Sequence, residues 1–150
     1  MGMSKVEVVR LDQVEGFQHG KDHYWYRPLL FGQNLFTYVA HVPPGGDMPA
    51  DGHAEKEEFE LGLFMLEGEL EITCENEKFN VGTESAMLIP LGASFGVKNH
   101  GEVTASFVLT FYPTPGIESL EWLRQRFAAR GVALKSPEEL KAMRAIGKQG

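Results

Sequence analysis

The chain has 150 residues and a mass of 16.7 kDa, room for one domain built round one core. It is 43% hydrophobic and carries ten Phe, four Tyr and two Trp, which excludes a wholly disordered protein. A formal net charge of −7 leaves no basic field to collect phosphates, so neither nucleic acid nor an anionic membrane surface is an expected partner.

The first 28 residues, including His19 and His23, read as an arm laid over the rest of the chain. From about 29 to 112 Gly and Pro cut the chain into pieces too short and too evenly spaced for helices. Leu29-Leu30-Phe31 is followed by the turn Gly32-Gln33-Asn34 and then a strand, Leu35 to Val42, rich in aromatic and β-branched residues. Pro43-Pro44-Gly45-Gly46 ends it, because neither proline can donate to a ladder. A polar, acidic run from Asp51 to Glu60 feeds Leu61 to Leu66, and Gly68 marks a hairpin turn into Glu69 to Cys74. Glu75-Asn76-Glu77 turns the chain into Lys78 to Val81. Strands Ala86 to Ile89 and Phe95 to Lys98 flank the loop opened by Pro90, and Asn99-His100-Gly101 turns into Val103 to Tyr112. About eight short strands without intervening helices predict a sandwich or barrel.

After Pro113-Thr114-Pro115-Gly116 the period changes. Ile117, Leu120, Leu123 and Phe127 recur at helical spacing, with Gly131 placed as a C-cap. Ser136-Pro137-Glu138-Glu139 reads as an N-cap followed by Pro at the first position of a second helix, which runs to about Ile146. The apolar stripe of the first helix is expected to pack on the barrel or on a dimer partner.

Cys74 is the only cysteine, so no internal disulfide framework exists, and its plain reading is a buried, inert thiol. No apolar run reaches the ~20 residues that cross a bilayer, and the start of the chain lacks a signal-peptide pattern. Met1-Gly2 does not complete a myristoylation motif, because Val6 stands where Ser or Thr is required. A cytoplasmic protein is expected.

Val42-Pro43-Pro44-Gly45-Gly46, the polar run after it, and Phe64-Met65-Leu66-Glu67-Gly68-Glu69-Leu70 closely resemble the first motif of the cupin superfamily. Ala86-Met87-Leu88-Ile89-Pro90-Leu91-Gly92, ending in Asn99, resembles the second. The resemblance implies an all-β fold, the cupin double-stranded β-helix or small jelly-roll barrel, often dimeric. With it go an N-terminal arm (1–28), the barrel (29–113) and a C-terminal helical tail (114–150).

Metal-binding cupins take two histidines one residue apart and a glutamate from the first motif, and a third histidine from the second. Residues at i and i+2 of a strand share a face, so such a set surrounds a divalent ion that keeps positions open for substrate. Here an ungapped count back from Gly68 puts Glu55 and Glu57 on the histidine positions and Leu61 on the glutamate position. The second-motif histidine position falls on Phe95. A bulge-shifted count gives His53, Glu55 and Glu60 as a ligand set for Mn, Fe, Ni or Zn, provided a bulge turns Glu60 inward.

Other candidates arise from the strands themselves. His41 and Tyr38 lie on opposite faces of one strand, and one of them must face the interior, where it is a candidate for moving a proton. Met65, Phe95, Leu61 and Glu57 are candidate pocket residues. Gly92-Ala93-Ser94-Phe95-Gly96 has a nucleophile-elbow pattern, but no helix follows the serine and no Asp occurs after Asp51. Two functions stay open: a metal-dependent enzyme of isomerase, lyase, decarboxylase or dioxygenase type, and a metal-free module that binds or senses a small molecule. In either case a small-molecule ligand and a homodimer are the expected partners.

Overall fold

In the computed structural model, residues 6–19, 23–48, 55–56, 59–114, 119–129 and 132–145 are described. Twelve strands and two helices follow a 3-10 turn, Leu11–Gln13. The strands are β1 (Gly16–His19), β2 (Tyr24–Phe31), β3 (Phe36–Val42), β4 (Asp47–Met48), β5 (Glu55–Lys56) and β6 (Glu60–Glu67). They continue as β7 (Leu70–Cys74), β8 (Glu77–Val81), β9 (Ala86–Ile89), β10 (Ser94–Lys98) and β11 (Ala105–Tyr112). Helix α1 (Leu120–Ala128), strand β12 (Ala133–Lys135) and helix α2 (Pro137–Ala145) follow, the last elements among the described residues. One sheet has the order β12-β1-β2-β3-β11-β6-β9; the other has the order β4-β10-β7-β8, with β5 also paired to β10. Every pairing is antiparallel.

The turns form where the sequence demands them. Gly45 and Gly68 adopt φ near +79°, and Glu75 and Asn76 also take positive φ in the tight β7–β8 hairpin. Gly68 also has no room for a side chain, because a Cβ there would sit 2.8 Å from the Ala105 Cα. Asn99, 1% exposed, ties the two motif regions together. Its amide donates to the carbonyls of Val42 and Val103, its side-chain oxygen accepts from Gly101 N, and its backbone exchanges hydrogen bonds with Gly45 and Gly46.

Strand β6 alternates strictly, with Leu61, Leu63 and Met65 inward and Glu60, Phe64 and Leu66 outward. The inward residues join Tyr38, Phe95, Phe107, Leu109, Ile72 and Leu70 in one apolar core. Burial of this set supplies the main drive to close the barrel. Cys74 belongs to the same core at 8% exposure, and burial, aided by Glu75 and Glu77, pushes its thiol pKa up, so the thiolate is disfavoured.

The amino-terminal region differs in part from the expected arm. Residues 6–15 lie outside the strands, but Gly16–His19 and Tyr24–Phe31 are β1 and β2 of the larger sheet. Pro28 obscures β2 in the sequence because it cannot donate to a ladder, and the β2–β3 register shifts between Pro28 and Leu30 to accommodate it.

The helical tail grips this added edge of the sheet. Leu123 and Phe127 of α1 pack with Phe17 and Tyr26, and the Phe17 and Phe127 rings meet edge-on at 4.9 Å. The stripe of α1 therefore covers the barrel of its own chain. Leu140 of α2 is fully buried beside Gly16, in contact range of the same position as the Arg27 stem, while Arg27 Nη1 donates to Leu11 O. Ser119 N-caps α1, its hydroxyl accepting from Trp122 N.

Ser136 and Glu139 form a reciprocal cap on α2: Glu139 N donates to Ser136 Oγ, and Ser136 N donates to Glu139 Oε1. The bond from Ser136 N holds the Glu139 carboxyl below its ordinary pKa. Its contribution is therefore present above the unfolded carboxyl pKa and is lost as pH falls through the lower, folded value. A side-chain NMR titration is expected to place the Glu139 midpoint below that of the same residue in Ser136→Pro, which lacks the donor N–H. Coincident midpoints would contradict the cap.

Candidate functional site

Register places a continuous inner row across five strands at one end of the barrel: Phe31, Phe36, Phe111, Leu61 and Ile89. In the other sheet, Cys74, Phe95 and position 55 form the corresponding row. Leu61 is 0% exposed and Phe95 is 3% exposed. Two of the four positions that the cupin count gives to ligands, those of Leu61 and Phe95, thus hold close-packed hydrocarbon; the other two are positions 55 and 57.

Aromatic contacts extend this row. Ring centroids lie 5.4 Å apart for Phe31–Phe36, 5.7 Å for Phe36–Phe111, 5.4 Å for Tyr38–Phe111 and 5.8 Å for Phe59–Phe111. Phe31, Phe59 and Phe111 are only partly buried, so this end of the core keeps aromatic surface in water. Tyr38 lies one step deeper, 6% exposed, against Tyr26 at 4.6 Å. Burial drives the Tyr26 phenol pKa well above its ordinary value, so Tyr26 stays neutral.

Of the two candidate proton carriers, Tyr38 faces the interior and His41 does not. His41 shares its face with Trp25 and Ser106, its cross-strand neighbours, while Ala40 and Phe107 of the alternate row enter the core. Its Nδ1 and the Ser106 hydroxyl share a hydrogen bond at 2.7 Å, and Trp25 stacks on the ring at 5.5 Å. His41 is 0% exposed, so the expectation of a pocket base is corrected to a structural histidine inside a second buried layer.

The candidate metal ligands separate in the same way. Glu60 is exposed on the outer face, and the register of β6 against β9 and β11 is continuous from Glu60 to Met65, so no bulge turns it inward. The expected ligand role of Glu60 is therefore not supported. Position 55 lies in register with Phe95, while His53 and Glu57 fall outside the described residues. Among the described residues no group of three or more His, Cys, Asp or Glu is arranged to hold a metal ion. Met65, a candidate pocket residue, is fully buried in the core. Ser94 opens β10 with no helix after it, and its hydroxyl meets the Glu75 backbone N at 3.3 Å, so the nucleophile-elbow pattern has no elbow.

Sequence reasoning missed Phe31, Phe36, Phe59 and Phe111 as a unit. The signal was present as Phe near strand ends, but only the register brings residues 31, 36 and 111 into one row. Among the described residues, surface grooves lie elsewhere, two of them on the barrel strands. One, of about 470 Å³, is lined by Glu69, Glu71, Asn80, Thr83, Asn99 and His100; the other, of about 410 Å³, lies on the outer face of β6, β9 and β11.

The profile of the family described as cupin domain matches residues 38–111. No curated protein matches the sequence. Among solved structures, an RmlC-like cupin from Shewanella frigidimarina is 15% identical, covers 70% of this chain and 88% of its own, and superposes with a TM-score of 0.61. A predicted oxalate decarboxylase from Thermotoga maritima is 15% identical, with 71% and 99% covered and a TM-score of 0.61. KdgF from a Halomonas species is 14% identical, with 64% and 84% covered and a TM-score of 0.54. At these identities the likeness establishes the fold. No helix among the described residues is long and apolar enough to cross a membrane.

Proposed function

Because the chain belongs to the cupin superfamily, whose barrels differ by what lines the interior, we propose that it binds a small, largely apolar organic molecule without a metal ion. The observation that carries this reading is the burial of Leu61 and Phe95 where ligating cupins place donors. The partly exposed rings of Phe31, Phe59 and Phe111 supply a surface for the ligand, and aromatic walls with few polar groups are the ordinary chemistry of such sites. Tyr38, whose ring lies 5.4 Å from that of Phe111, would orient a ligand's polar group. The metal-dependent enzyme remains the second reading, favoured by the register of position 55 opposite Phe95.

A thermal-shift screen of small aromatic and aliphatic acids, alcohols and ketones tests the proposal. A true ligand raises the melting temperature with concentration, because it binds the folded state alone. Phe111→Ala, verified as folded, is expected to weaken binding by about tenfold, roughly 1.4 kcal/mol. Stabilisation by Mn, Fe, Ni or Zn alone, abolished in Glu55→Ala, would favour the enzyme reading.

A further inference from the structure

We infer that the cleft between the amino-terminal segment and the β2–β3 hairpin extends the aromatic surface of the barrel, and that the ligand is an organic cation, an amine with an apolar, aromatic body. The inference rests on the reading of the chain as a small-molecule binder and names the class of molecule. The cleft, of about 370 Å³, is lined by Glu7, Leu30, Phe31, Gln33, Asn34 and Leu35 around the turn at Gly32. Its size lies in the range of small-molecule sites, about 300–1,000 Å³.

Local sequence builds this cleft. The register shift between Pro28 and Leu30 sets Leu30 opposite Thr37 and Phe31 opposite Phe36. Gly32 N donates to Leu35 O at 2.8 Å and closes the hairpin tip. A Cβ at residue 32 would lie 3.0 Å from that same oxygen, so the turn is tight. Leu30 and Leu35, 36% and 38% exposed, keep apolar surface in water at the tip. Glu7 enters from the other side, in the segment before the 3-10 turn. Phe31 belongs to two surfaces: it lines the cleft, and its ring lies 5.4 Å from that of Phe36, which lies 5.7 Å from that of Phe111. A ligand seated on Phe31 therefore spans the barrel's aromatic row and the cleft.

Charge selects the polar group of that ligand. Among the described residues that line the cleft, Glu7 carries the charge and none is basic. No described Lys, Arg or His pairs with Glu7. In the groove of about 470 Å³, by contrast, Glu71 already meets His100 at 3.3 Å and Lys78 at 3.7 Å. An ammonium in the cleft would meet the Glu7 carboxylate, the Phe31 ring and the acceptor oxygens of the Gln33 and Asn34 amides. A carboxylate ligand would meet Glu7 as a like charge, on a chain whose net charge is −7. Glu7 is exposed, so its ion pair alone contributes modestly, and the attraction of the ring for a cation adds to it.

Calorimetric titration of the full chain at neutral pH with phenethylamine, phenethyl alcohol and hydrocinnamate compares three similar shapes that differ in charge. The amine is expected to bind about tenfold more tightly than the alcohol, with the acid weakest. Glu7→Gln is expected to cut the amine's advantage to about twofold and to leave the alcohol unchanged. Glu102→Gln removes the same charge from the exposed turn after β10 and is expected to keep the full advantage. Amide shifts on adding the amine are expected to centre on Gly32, Gln33 and Asn34. An alcohol or acid that binds as tightly as the amine, or an advantage that survives Glu7→Gln, would overturn the inference and leave the small-molecule reading standing. Silence from all three probes would also overturn it, and the same silence across the screen of acids, alcohols and ketones would overturn the small-molecule reading as well.

Discussion

Phe107→Ala is expected to destabilise the fold by about 3–5 kcal/mol, the usual cost of emptying an aromatic site in a packed core. Phe107 is 0% exposed in the middle of β11, opposite Ala40 of β3 and Met65 of β6. Its neighbours across the strands offer little to refill the space, because Ala40 is small and Met65 is itself held in the core. The register shift beside it leaves Leu66 of β6 as an extra residue between the pairs Phe107–Met65 and Ser106–Glu67, which also ties its position to the bulge of β6. Native stability is about 5–15 kcal/mol, so this one change removes a large share of it. Urea unfolding gives the number as a lowered midpoint at constant slope. Leu91→Ala, at a side chain 66% exposed, is the control and is expected to stay within about 0.5 kcal/mol. Equal midpoint shifts for the two variants would contradict the assignment of Phe107 to the core.

Gly16→Val is expected to cost about 3 kcal/mol or more, and to loosen α2 as well as β1. A Cβ at residue 16 would lie 2.4 Å from the Tyr26 carbonyl oxygen, 3.0 Å from Leu140 Cδ1 and 3.2 Å from Arg27 Cγ. A side-chain atom can swing aside, but the carbonyl belongs to the β2 backbone and cannot yield without moving the strand. Overpacking ordinarily costs about 1–3 kcal/mol, and backbone overlap with no room to relax puts this case at or above the upper end. Strand β1, with β12 beyond it, would separate from β2, and Leu140 would lose its seat. Amide exchange is expected to accelerate across α2 while β7 and β10 keep their protection. Gly62→Ala is the matched control, since nothing lies within 4 Å of its Cβ, and it is expected to change stability by less than about 1 kcal/mol. Unchanged α2 exchange in Gly16→Val would refute the close approach.

The barrel strands were legible because their signals were local. Pro43-Pro44, Gly68 and Asn76 stop or turn the chain through dihedral and hydrogen-bonding limits that belong to those residues alone. Ser136 and Glu139 likewise announced α2 by a cap that needs only four residues. The face of β3 was not legible, because all seven of its residues are buried and no polar alternation marks an inside. Hence His41 and Tyr38 stood as equals in the sequence, although the register sends only Tyr38 into the core. β1 and β2 were obscured because Pro28 opposes a strand reading and the bulge that tolerates it is a property of the pairing with β3. The aromatic row required non-local register between residues 31, 36 and 111, which no spacing along the chain encodes.

The candidate site was legible chiefly through its departures. Leu61 and Phe95 were marked as apolar intrusions by counting along two motifs, and both are buried in the core. What counting could not decide was Glu60, whose direction depends on whether a bulge of β6 falls beside it; the register shift of β6 lies at Leu66 instead. The strict alternation from Glu60 to Leu66 answers that in favour of the outer face.

The metal content of the full chain decides whether this barrel is closed to ions. Protein purified without chelator, then incubated with Mn, Fe, Ni or Zn and desalted, is expected to hold far less than one ion per chain and to melt at an unchanged temperature. One ion per chain, raising the melting temperature and lost in Glu55→Ala, would contradict a barrel whose interior is sealed by Leu61 and Phe95.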